Sequence, residues 1–181
     1  IETEYVCTCL ETGKAEYFSS FEDERELLTV CKATCSVPMI CEPVEINGRH
    51  YLDGSIADSI PIEHALDSGC DKLVVILTKP DTNTPPTDYR KFKTVIAQMY
   101  KQYPAFVEAC MTRVDRYEQT LRLMQELSDE GRIMVFRPEL PAISKFEHDP
   151  DKIMASYRDG YRQADRRIVE LLKWTEYVSV G

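Results

Sequence analysis

Asp53, Gly54 and Ser55 are the consecutive residues of this sequence with the clearest chemical potential. A carboxylate ending an extended apolar segment can take a proton as a general base. A glycine beside it lets the backbone turn or approach a neighbour closely. Taken alone, Asp-Gly is most often just a turn pair. The other constellations point to less. Asp53 and Asp58 lack the alternating carboxylates and terminal glutamate of a calcium loop, so Asp58 is expected to bond within its own loop. His64 lies among Ile62, Ala65 and Leu66, which form the apolar side of a short helix and turn the imidazole to the side or to solvent. His50 and His148 have no evident catalytic partner. Cys7 with Cys9, and Cys31 with Cys35, do not have the spacing of zinc knuckles. Cys31 and Cys35 share a helical stripe with Leu27 and Leu28, so core packing is expected for them, as is burial for Cys7 and Cys9. No metal or cofactor is expected.

The elements that must position Asp53 follow from local pattern. Tyr5 to Leu10 alternates apolar and polar residues, turns at Gly13, and returns as a strand from Ala15 to Phe18. A helix is expected over residues 24–35, stopped by Pro38. Asn47-Gly48 between Val44–Ile46 and Arg49–Leu52 is a strong hairpin signal, because both turn residues need positive φ. Asp53 comes at the end of that hairpin. Pro61 opens a short helix that Gly69 ends, and residues 72–78 read as a strand buried on both faces. A Pro- and Thr-rich loop over 79–88 leads to helices broken at Pro104. A strand over 132–137 and a helix opened by Asp149-Pro150 complete the chain. Strands alternating with helices predict an α/β fold with a mostly parallel sheet.

The stretch Ala33-Thr34-Cys35-Ser36-Val37-Pro38, then Glu42-Pro43-Val44-Glu45-Ile46-Asn47-Gly48-Arg49-His50-Tyr51-Leu52-Asp53-Gly54-Ser55, then Ile60-Pro61-Ile62, resembles the patatin-like phospholipase family, in particular its bacterial members. In that family a small-residue segment closing on proline precedes a hairpin that leads into Asp-Gly-Gly or Asp-Gly-Ala. The resemblance is expected over most of the chain and is densest between Cys31 and Pro61. It implies a Ser-Asp dyad with Asp53 as the catalytic aspartate and Gly54 and Ser55 as the supporting loop. Ser55 departs from the usual glycine or alanine. The resemblance further implies a serine esterase or phospholipase acting on acyl lipids without a cofactor. The seven glycines, at 13, 48, 54, 69, 131, 160 and 181, build neither a G-x-S-x-G elbow nor a glycine-rich oxyanion loop. The expectation is a partial patatin-type three-layer sandwich. Residues 1–181 are then the C-terminal portion of one patatin-like domain, without the N-terminal part that holds the elbow, and 89–130 is a helical block that caps the site or covers a sheet face. The isolated chain is expected to be inactive. A non-catalytic adaptor or pseudoenzyme that binds a protein or lipid is the competing class.

Composition bounds the partners. The 181 residues carry a formal charge of -9, which disfavours nucleic acid and constitutive docking on anionic lipid, leaving transient membrane-surface contact open. Seven scattered cysteines do not read as a disulfide framework and point to a reducing, cytoplasmic setting. A sheet edge and apolar surface left open in a truncated domain predict self-association.

Overall fold

The computed structural model describes residues 2–80, 86–144 and 147–176. Part of the loop expected at 79–88 therefore lies outside the described residues. The chain divides into two compact units, the first built from residues up to 61 and from 86–120, the second from 62–80 and from 121 onward.

The first unit holds a four-stranded sheet in the order β2-β1-β4-β3, from β1 (Tyr5–Cys9), β2 (Ala15–Phe18), β3 (Val44–Ile46) and β4 (Arg49–Asp53). Every pairing in it is antiparallel. The expected mostly parallel sheet is thus corrected: short turns join β1 to β2 and β3 to β4, and strands joined so tightly can only run antiparallel. Asn47 and Gly48 take φ of 51° and 76°, the left-handed pair that the Asn-Gly turn requires. The β1–β4 register sets Cys7 opposite Asp53 and Thr8 opposite Leu52.

Helix α1 (Glu24–Thr34) starts at Asp23, whose carboxylate accepts from the Glu26 backbone N–H at 2.9 Å. Its buried residues are Val30 and Ala33, packed with Cys7, Cys9, Val44, Ile46 and Tyr51. The stripe of Leu27, Leu28, Cys31 and Cys35 is not the core face: Leu28 is 60% exposed and Cys35 is exposed. The neighbouring stripe carries smaller residues that let the helix approach the sheet. Leu10 and Leu52 pack instead with Tyr89, Ile96 of α3 (Lys93–Met99), and Phe106, Ala109 and Cys110 of α4 (Pro104–Asp129). Gly13, with φ of 67°, leaves no room for a Cβ, which would lie 2.3 Å from the Ala105 carbonyl oxygen. The start of α4 therefore sits directly on the β1–β2 turn.

The second unit contains α2 (Ile62–Asp67), β5 (Leu73–Ile76), β6 (Ile133–Phe136) and α5 (Pro150–Glu176). β5 and β6 pair in parallel, Leu73 opposite Ile133. Arg167 of α5 donates to the Val135 carbonyl at 2.8 Å and stacks over Phe136, and Trp174 Nε1 donates to the Gly131 carbonyl at 2.9 Å. Val75 is buried, but Val74 and Ile76 are exposed, so β5 is not covered on both faces as its apolar run predicts. No helix among the described residues is long and apolar enough to cross a membrane.

Candidate active site

Asp53 closes β4, and its backbone is held on both sides. Its N–H donates to the Ser36 carbonyl at 2.9 Å, and its carbonyl accepts from the Thr8 hydroxyl at 2.8 Å. Thr8 is fully buried, and its Oγ1 also accepts from the Ala57 N–H at 3.2 Å. One β1 hydroxyl thus ties the end of β4 to the far side of the turn that follows.

That turn is a short 3-10 segment, Gly54–Ile56. Gly54 is buried against β1, where a Cβ would lie 2.2 Å from the Val6 carbonyl oxygen. Its φ is not positive, so glycine is required by space rather than by backbone conformation. Ser55 does not take positive φ either, and a serine fits there without backbone strain.

Asp53 is half-buried, and its carboxylate is held on one oxygen only. Oδ1 accepts from the Ser55 N–H at 2.8 Å. Among the described residues Oδ2 has no hydrogen-bond partner, and Asp53 forms no ion pair. A carboxylate fixed at one oxygen and free at the other can accept a proton from an incoming hydroxyl or water.

Two arginines of α4 grip the loop from the other side. Arg113 Nε donates to the Ser55 carbonyl at 2.8 Å, Nη2 to the Ser55 hydroxyl at 3.0 Å, and Nη1 to the Thr87 carbonyl at 3.1 Å. Arg116 donates to the carbonyls of Ile56 and Ala57 at 2.7 and 3.2 Å, and to that of Ala109 at 2.7 Å. Burial lowers the pKa of Arg116, though a guanidinium keeps its charge in proteins. Cys7, opposite Asp53, is no alternative nucleophile. Burial, and then the charge of Asp53, push its thiol up to about 12.

The structure brings Asp53, Gly54 and Ser55 together in one clamped turn. Asp58 bonds within its own loop through its backbone, its N–H donating to the Gly54 carbonyl at 2.9 Å, while its carboxylate accepts from the Tyr17 hydroxyl of β2 at 2.6 Å. His50 has a partner that the sequence did not reveal, Glu11, at 3.0 Å. His64 lies half-buried on α2, in the second unit. Cys7 and Cys9 are buried as expected. Among the described residues no cluster of His, Cys, Asp and Glu is arranged to hold a metal ion. Thr8, Arg113 and Arg116 escaped the sequence reading. The signal was present for the arginines, which continue the buried stripe of Ala109 at helical spacing, where a charge needs a partner.

Known proteins place this site in context. Residues 8–66, which contain the end of β1, all of β2, the β3–β4 hairpin and the Asp53 turn, match the family model described as Patatin-like phospholipase, a family of lipid hydrolases. Residues 103–176 match a separate model, a domain of unknown function (DUF6363). The family model thus covers the first part of the range over which the resemblance is expected. The uncharacterized protein YjjU of Escherichia coli (strain K12) is 36% identical over 78 residues, which is 42% of this chain. The matched stretch spans 21% of the length of that relative.

Proposed function

We propose that this chain supplies the aspartate of a Ser-Asp dyad in a patatin-like acyl hydrolase, with Asp53 as the base and Gly54 and Ser55 as its supporting loop. The observation that carries the proposal is the state of the Asp53 carboxylate, bound at Oδ1 by the Ser55 N–H and open at Oδ2. The family match over residues 8–66 supports the same chemistry.

In the proposed reaction, Oδ2 takes the proton of a serine hydroxyl as that oxygen attacks an ester carbonyl. The alcohol leaves with a proton returned by Asp53, which then deprotonates water as it attacks the acyl-enzyme and passes that proton to the departing serine oxygen, releasing the fatty acid. The serine and the donors for the oxyanion belong to the intact protein outside these 181 residues, since the sequence contains no G-x-S-x-G. The substrate class is an acyl lipid or phospholipid, met through transient contact with a membrane surface in the cytoplasm, and nucleic acid is not a partner. The chain belongs in this proposal to one patatin-type sandwich, in which the block 89–130 covers the sheet face carrying Leu10 and Leu52.

The test is ester hydrolysis by the intact protein and by its Asp53→Ala variant, with both first shown equally stable. Loss of about 10² to 10⁴ in kcat is the expected result for a missing general base. Full activity in the variant would make Asp53 a turn residue. An inactive wild type would favour a non-catalytic adaptor.

A further inference from the structure

Ser55 is the residue through which the Asp53 carboxylate is oriented, and Arg113 holds Ser55 by two branches at once. Nε takes the carbonyl and Nη2 the hydroxyl. With both anchored, the third branch of the same Cα, the N–H, has little freedom to swing. That N–H is the donor to Asp53 Oδ1. Arg113 is itself fixed, by the Thr87 carbonyl and by the Tyr89 ring, whose centroid lies 5.7 Å from the guanidinium carbon.

We infer that Arg113 is a positioning residue for Asp53: from α4 it locks Ser55 so that the Ser55 N–H engages Oδ1 and Oδ2 is left as the free basic oxygen. The catalytic meaning of this inference rests on the proposed dyad. It also gives a task to the segment 103–176, matched to a domain of unknown function, since that segment reaches the Asp53 loop of the patatin-matched stretch.

Two features suit the arrangement to an arginine and a serine. Ser55 stands where the resembled family has glycine or alanine, and its hydroxyl is the second acceptor that Arg113 needs. A lysine could not replace the arginine, because a single ammonium does not present two donors in a rigid fork. Arg116 differs in kind. It binds Ile56, Ala57 and its own helix, beyond the residue that touches Asp53.

The experiment is residue-level amide exchange on the 181-residue chain, as wild type and as the Arg113→Ala, Arg113→Lys and Ser55→Ala variants, together with ester hydrolysis kinetics on the intact protein. In Arg113→Ala the Ser55 N–H is expected to exchange at least about tenfold faster, while the Leu10 N–H, bonded to the His50 carbonyl, keeps its rate. Arg113→Lys recovers little of this protection, and Ser55→Ala shows an intermediate loss. In the intact protein, kcat falls about 10- to 100-fold with KM within about twofold, the mark of a misplaced group rather than a lost binding contact. Unchanged Ser55 exchange in Arg113→Ala overturns the inference. So does equal acceleration of Leu10 and Ser55, which would mean general loosening. If Arg113→Ala does not fold, Arg113→Lys decides on the same two amides. An intact wild type without activity defeats the dyad, whereas the exchange data still decide whether Arg113 orients Asp53.

Discussion

At Gly54 the chain passes so close to β1 that a Cβ would lie 2.2 Å from the Val6 carbonyl oxygen. That oxygen is not free to retreat, because the Thr34 hydroxyl donates to it at 2.6 Å. A methyl group at position 54 must therefore push β4 away from β1, or move Asp53 out of place. Gly54→Ala is expected to lower stability by about 1–3 kcal/mol, read from the denaturant midpoint. Gly160, in the middle of α5, is the natural control: a Cβ there meets open space, so Gly160→Ala brings no loss. Equal midpoints for Gly54→Ala and wild type would remove the close approach as the reason for glycine. Asp53 shows the same logic of local crowding. Thr8, Ser36 and Ser55 use its backbone and one side-chain oxygen, and among the described residues Oδ2 is left without a partner.

Among the elements, α4 has two faces of use at the sheet. Phe106, Ala109 and Cys110 bury apolar surface with Leu10 and Leu52, while Arg113 and Arg116 reach the loop after β4. Burial around this sheet, in the clusters against α1 and against α4, also sets a pH limit. It pushes the thiols of Cys7 and Cys110 and the phenol of Tyr89 up to about 12, from ordinary values of 9.0 and 10.0. Below about pH 8 all of these groups are largely neutral in both folded and unfolded chains. Between pH 9 and 12 the unfolded chain releases protons that the folded chain retains, so stability falls as pH rises. The denaturant midpoint is expected to hold steady from pH 7 to 8 and to drop by pH 10, with a shallower drop in Cys110→Ala. A flat profile through pH 10 would mean that these groups are solvated in the fold.

For the molecule as a whole, the second unit exposes much apolar surface. Ile76 of β5 is 78% exposed, and Tyr157, Tyr161, Val169 and Leu172 of α5 are all exposed. Among the described residues, β5 and β6 have no strand neighbour but each other, so each leaves one edge unpaired. Open strand edges beside apolar side chains favour association of like chains. Sedimentation velocity of the isolated chain is expected to show a weight-average mass that rises with concentration. A monomer at every concentration would show that these surfaces are compatible with solvent.

Local chemistry determined much of this protein. The Asn47-Gly48 turn, the Gly13 turn, the Asp23 cap and the starts at Pro104 and Pro150 are each encoded within a few residues, because turns and caps are satisfied by short-range bonds. The Asp53 turn was legible for the same reason. The hairpin turns fix the antiparallel pairs β1–β2 and β3–β4, whereas the pairing of β1 with β4, and the stripe of α1 that faces the sheet, depend on which surfaces meet. Of the clamp from Thr8, Arg113 and Arg116, only the helical spacing of the arginines from buried Ala109 was a local signal, and it named no partner. Arg113 is 58 residues from its partner Ser55, and only the packing of α4 against the sheet brings a guanidinium to that carbonyl. Spacing along the chain thus marked the Asp53 turn, and the tertiary fold brought Thr8, Arg113 and Arg116 onto it.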